Sequence, residues 1–221
     1  MNLPAPHGVF VKICGLTRPE DARFAIEAGA DALGINFFAG SKRCVVLPEV
    51  MPWLEALPGS VQKVAVVVNP TAAEVKALRD SQSFDAIQFH GDESPGFCED
   101  CGFEVWIKAV RVLDRSSFEK ALEYDTPYLL LDAWSETGWG GTGVRVDWGL
   151  VRAFVEEQPE KKVILAGGLN PSNVADALRI VAPFGVDVAS GVEVDPRRKD
   201  EYLLREFMRI ARLKNLADGA Q

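Results

Sequence analysis

A chain of 221 residues with 48% hydrophobic and 25% charged positions has the composition of a folded globular protein with one sizeable core, not of a disordered segment. Its net charge of −8 argues against nucleic acid or an anionic membrane as a partner, because a broadly acidic surface repels both. No apolar run reaches the roughly 18 residues of a membrane span, and the opening MNLPAPHGVF lacks the basic-then-apolar order of a signal peptide, so a cytoplasmic location is expected.

Runs of β-branched and aliphatic residues alternate with amphipathic stretches along the whole chain. The predicted strands lie near 10–14, 32–37, 62–68, 85–89, 104–110, 127–132, 163–166 and 186–189. In chain order, the segments that follow them read as helices: PEDARFAIEAG, LPEVMPWLEAL, TAAEVKALRD, the short ESPGFCEDC, SSFEKALEY, DWGLVRAFVEE, PSNVADALRIV and DEYLLREFMRIARL. Strand followed by helix, eight times over, implies a parallel sheet covered by helices. Eight such units in 221 residues fit an α/β fold of the (β/α)8 TIM-barrel type, as a single domain over 1–221. An open doubly wound sheet is the alternative. Its dinucleotide fingerprint G-x-G-x-x-G is missing, since KICGLTRPEDA has one glycine. Thr17 with Glu20 and Thr71 with Glu74 have capping-box spacing, and Asn170-Pro171 reads as an N-cap with Pro at the first helical position.

Strands buried on both faces are expected to be almost purely apolar, yet several of these carry a lone polar residue: Lys12, Asn36, Gln88, Lys108, Asp132 and Asp187. Cys14, His90 and Asp132 fall at the C-terminal strand ends, where barrels place their catalytic groups. Lys12 and Cys14 are two apart and share a face. An inward Lys12 is expected to pair with Asp187, because strands one and eight are neighbours in a closed barrel, and its ammonium would also favour a Cys14 thiolate. Two glycine-rich turns, ILAGGLNPSN and DVASGVE, follow strands seven and eight. That is the usual phosphate site of this fold, where backbone N–H groups approach an anion closely. A third segment, GWGGTG at 138–143, reads as a lid or a further phosphate wall. Cys98 and Cys101 form a C-x-x-C, but no second pair of cysteines or histidines completes a zinc site. They read as reduced structural cysteines.

Taken together, VKICGLTRPEDA, GADALGINFFAGSKR, VVVNPT, IQFHGDE, LLLDAW with GGTG and DW, LAGGLNPSNV, and VDVASGVE with KD resemble the phosphoribosylanthranilate isomerase family of tryptophan biosynthesis. The resemblance covers about residues 9–213. It implies an Amadori rearrangement of N-(5-phosphoribosyl)anthranilate to 1-(2-carboxyphenylamino)-1-deoxyribulose 5-phosphate by general acid–base catalysis, with no metal and no organic cofactor. Carried onto this sequence, it makes Cys14 the base and Asp132 the acid. Arg43 would meet the substrate carboxylate. His90 and Asp187 would line the pocket, and Gly141, Gly143, Gly167, Gly168 and Gly191 would surround the phosphate. The partner is then a phosphorylated small molecule, and the enzyme a monomer or homodimer. Departures from the family's usual pattern stand at Asn36, where an aromatic is more common, and at Ala166, where Ser is frequent. Competing readings are other phosphosugar barrels, or a phosphosugar-binding protein without catalysis. An indole-glycerol-phosphate synthase would need a catalytic Lys, and the histidine-pathway isomerase an aspartate where Cys14 stands.

Overall fold

The computed structural model describes residue 3, residues 8–133 and residues 147–218, with side chains up to 213. Eight parallel strands close into a barrel in sequence order: β1 (Phe10–Cys14), β2 (Ala32–Asn36), β3 (Gln62–Val67), β4 (Ala86–Phe89), β5 (Trp106–Val112), β6 (Tyr128–Ala133), β7 (Lys162–Leu165) and β8 (Gly185–Val188). They alternate with α1 (Pro19–Glu27), α2 (Leu47–Leu54), α3 (Ala72–Asp80), α4 (Pro95–Glu99), α5 (Ser116–Leu122), α6 (Trp148–Glu157), α7 (Val174–Val181) and α8 (Glu201–Asp218). A two-residue-wide antiparallel hairpin, β9 (Glu193–Asp195) with β10 (Arg198–Lys199), is inserted before α8. No helix among the described residues is long and apolar enough to cross a membrane.

The period of two along each strand divides the core in two. Val11, Ile13, Leu33, Ile35, Ala65, Val67, Ile87 and Phe89 join the helices in the outer layer. Phe10, Ala32, Val64, Ala86, Ile107, Leu130 and Ile164 fill the barrel interior. The helices meet the outer layer through helical spacing. In α7 the buried set is Val174, Ala177, Leu178 and Val181, a single apolar stripe.

This parity separates two lysines that both interrupt apolar strands. Lys108 lies on the opposite face of β5 from the inward Ile107 and Ala109, and its ammonium binds Gly91 O at 2.7 Å and Glu93 Oε2 at 2.6 Å. It ties β5 to the loop after β4 and does not point into the barrel. Lys12 behaves as expected. Its register partner is Asp187, the two are 2.7 Å apart, and the Lys12 side chain is fully buried. Such a pair fixes the join between first and last strands, because removing either partner strands a buried charge at a cost of about 3–5 kcal/mol.

Helix starts differ from expectation at two places. Thr71 and Glu74 form the capping box of α3, but α1 begins after Arg18 without a side-chain cap. Thr17 instead gives its hydroxyl to Arg197 O, because the hairpin lies against this loop. After β7, Asn170 accepts from Ser172 N in a local turn, and α7 starts three residues later than Pro171 would place it, with Asn173 at the N-cap.

Candidate active site

The C-terminal mouth of the barrel collects the inward residues at the strand ends. Cys14 closes β1 and is 9% exposed. The space for it comes from the facing strand. Gly34 is its register partner, and a Cβ there would stand 2.8 Å from Cys14 Sγ and 3.0 Å from Lys12 Nζ. Gly34 therefore permits an ammonium and a thiol side by side in the barrel. Its place in GADALGINF gives no sign of this role.

Burial pushes the Cys14 thiol up from its ordinary value, only partly opposed by the Lys12 charge, while Asp187 pushes in the same upward direction. Lys12 does favour the thiolate, as expected, but it does not outweigh burial. The ammonium is shared with Asp187, so desolvation wins. Lys12 itself is held above its ordinary value: burial works against the charge, but Asp187 and Cys14 outweigh it.

Asp132 lies at the end of β6, buried, and accepts Ala133 N at 2.8 Å. His90, one residue past β4, places Nε2 3.4 Å from Asp132 Oδ2. Its Nδ1 is 3.2 Å from Gln88 Nε2. Among the described residues, His90 Nε2 and Gln88 Oε1 are buried without a hydrogen-bond partner. Both project from the inner face of β4, where a ligand would satisfy them.

The two glycine-rich turns sit beside these groups. Asp132, Gly167, Gly168, Asp187 and Ser190 line one small cleft of about 40 Å3. Gly167 has φ +87, and a Cβ on it would come 2.8 Å from Ala133 N and 3.0 Å from Asp132 Oδ1, so only glycine brings this turn against the acid. Asn173 Nδ2 donates to Gly168 O at 2.9 Å. The N–H groups of Gly167 and Gly168 donate to no partner among the described residues. Gly191 packs its Cα against Leu169 O, where a Cβ would collide, and so joins the turns after β7 and β8. Gly141 and Gly143 lie outside the described residues.

Arg43 is brought to the mouth by the loop after β2. Its Nε and Nη2 donate to the two oxygens of Glu193 at 2.8 and 2.6 Å. Sequence reasoning assigned no role to Glu193. Of the five N–H donors of a guanidinium, this leaves the end-on fork of Nη1 and Nη2 for another carboxylate. Asn36, by contrast, turns its Oδ1 to Phe38 N at 2.9 Å and shapes the loop leading to Arg43.

Cys98 and Cys101 are buried free thiols at and just after α4. Burial pushes Cys98 up to about 12 and raises Cys101 as well, in keeping with a structural role for both. The Cys98→Ala/Cys101→Ala double variant is expected to keep wild-type kcat and KM, and dithiothreitol and EDTA to leave the wild type unaffected. A loss of turnover in step with zinc release would contradict this.

A closed parallel barrel that gathers buried polar side chains and glycine-rich turns at its C-terminal mouth has the architecture of a TIM-barrel enzyme. Residues 11–209 match the family described as N-(5'-phosphoribosyl)anthranilate (PRA) isomerase, and the chain belongs to that family. It is similar to N-(5'-phosphoribosyl)anthranilate isomerase of Pelobacter propionicus, 43% identical over 202 residues, covering 91% of this chain and 95% of that protein. The crystal structure of phosphoribosyl anthranilate isomerase from Thermotoga maritima superposes with a TM-score of 0.84 at 36% identity, covering 92% of this chain and 98% of the other. A second structure of a phosphoribosyl anthranilate isomerase is a complex with reduced 1-(o-carboxyphenylamino)-1-deoxyribulose 5-phosphate. It superposes with a TM-score of 0.80 at 35% identity, covering 92% and 98% of the two chains.

Proposed function

We propose that this isomerase converts N-(5-phosphoribosyl)anthranilate to 1-(2-carboxyphenylamino)-1-deoxyribulose 5-phosphate in tryptophan biosynthesis, with Cys14 as general base and Asp132 as general acid. Asp132 gives its proton to the furanose oxygen, the ring opens, and the nitrogen becomes a Schiff base at C1′. Cys14, as thiolate, takes the C2′ proton. The electron pair of the C2′–H bond forms the C1′=C2′ double bond while the C1′=N pair returns to nitrogen. The enolamine so formed loses its 2′-hydroxyl proton and gains one at C1′ to give the ketone, and Cys14 and Asp132 recover their starting states by proton exchange with water. The observation that carries this reading is the shared cleft in which Asp132 borders Gly167, Gly168 and Asp187. Asp187 in turn holds the ammonium beside Cys14. Phosphate at the N–H groups of Gly167 and Gly168 would set the ribose between the acid and the base. His90, 3.4 Å from Asp132, lines the pocket beside the acid.

Arg43 would take the anthranilate carboxylate on its end-on fork. The carboxylate lies away from the reacting carbons, so Arg43→Ala is expected to act on KM. A rise of roughly 30-fold or more follows from a loss of about 2 kcal/mol for an unpartnered buried charge. A normal KM with crippled kcat would contradict the assignment. The reaction itself is tested by the disappearance of anthranilate-type fluorescence when the purified protein is added to N-(5-phosphoribosyl)anthranilate. Protein that binds this substrate without consuming it would be a phosphosugar-binding protein instead. We place the enzyme in the cytoplasm, as a monomer or homodimer; one related structure is described as monomers of a dimeric isomerase.

A further inference from the structure

Between β8 and α8 the chain folds into the β9–β10 hairpin, which none of the roles above uses. It carries two charged side chains that are almost completely buried. The Glu193 side chain is 4% exposed and that of Lys199 is 1% exposed. Lys199 Nζ sits at a junction. It donates to Glu193 Oε1 at 2.8 Å, to Cys14 O at 2.6 Å and to Ala189 O at 3.0 Å. Glu193 receives this ammonium on one side and the side-on face of the Arg43 guanidinium on the other.

Burying one carboxylate between two cations, close to solvent yet shielded from it, costs desolvation that a structural hairpin does not require. A charge held in this way has its orientation fixed by hydrogen bonds from both sides. Glu193 stays below the ordinary carboxylate range: burial opposes ionisation, but Arg43 and Lys199 outweigh it. The stem of Arg43 is also constrained. It runs over Gly15, which has φ +75 and where a Cβ would overlap Arg43 Cδ. The guanidinium is thus gripped along its stem and along one edge, and only the Nη1–Nη2 edge remains to meet a ligand.

We propose that Glu193, locked by Lys199, is the positioning residue that aims Arg43 at the substrate carboxylate and so sets the enzyme's demand for an aromatic acid on the aminoribose. This rests on the carboxylate-binding role given to Arg43 above. The same Lys199 bonds the backbone of the base, so the hairpin holds the carboxylate anchor and Cys14 in one fixed relation. Second partners that orient a ligand-binding group commonly matter about 10- to 100-fold.

The test measures KM and kcat for Glu193→Gln, Arg43→Ala and the combined variant. It also measures affinity for the product and for a product analogue lacking the ring carboxylate. Glu193→Gln is expected to raise KM by about tenfold with kcat little changed. It should weaken the carboxylated product and leave the analogue's binding unaltered, and it should add nothing in the Arg43→Ala background. Glu193→Gln/Lys199→Met removes the buried charges in pairs. It is expected to give the same KM rise should the single variant fold poorly. Equal weakening of both ligands, or a KM cost that persists in the Arg43→Ala background, overturns the positioning role while leaving Arg43 as the anchor. An Arg43→Ala variant with wild-type KM overturns the anchor itself.

Discussion

Cys14→Ser is expected to lower kcat by at least about a hundredfold, the lower end for loss of a general base, with KM near its wild-type value. The substitution keeps size and hydrogen-bonding capacity and exchanges a group that ionises within reach of neutrality for one that does not. The surroundings sharpen the effect. Burial holds the thiol above its ordinary pKa, and the same burial would disfavour a Ser alkoxide further. Binding should survive because the phosphate and carboxylate contacts lie on other loops. Steady-state kinetics with the anthranilate substrate provide the check, and a Ser variant with near-normal turnover would remove Cys14 from proton transfer.

Asp132→Asn should cost about a hundredfold or more in kcat, with ring opening becoming rate-limiting. The amide keeps the shape and the acceptor used by Ala133 N but has no acidic proton to give. Affinity for the open-chain product should be nearly unchanged, since that ligand needs no ring opening. The pH dependence of kcat/KM, which reports the free enzyme, gives an independent test. In the wild type the reaction needs a proton donor as well as the Cys14 thiolate, so activity is expected to fall along both an acid and an alkaline limb. In the Asn variant only the need for thiolate remains. Because the folded environment raises the Cys14 pKa, the residual activity should climb with pH and go on climbing past the usual thiol value of about 8.5, with no alkaline fall. Full turnover with both limbs intact would assign the acid role elsewhere, first to His90, 3.4 Å from the carboxylate.

Much of the mouth was legible along the chain because its cues are local. Alternating strand and helix patterns specify eight βα units, and position at the C-terminal end of a strand singles out Cys14, His90 and Asp132. The Lys12–Asp187 pair was also inferable, since closure of the barrel makes strands one and eight neighbours. The pattern left one residue undecided: Lys108 interrupts an apolar strand as Lys12 does, but it lies on the opposite face from the inward Ile107 and Ala109 and serves the loop after β4.

What the sequence determined by itself was therefore the repeat, the closed parallel sheet and the residue types at the strand ends, because periods of two and 3.6 and the rules of strand connection act over short distances. Tertiary structure alone decided the balance of charge at those residues. Whether Lys12 lowers the thiol depends on its being shared with Asp187 in a desolvated interior. Whether Arg43 is aimed depends on Glu193, 150 residues further along, and on a lysine that also grips the backbone of Cys14. Such interactions arise only when distant segments are buried together, since electrostatics depends on depth and separation in space, which a linear pattern does not encode.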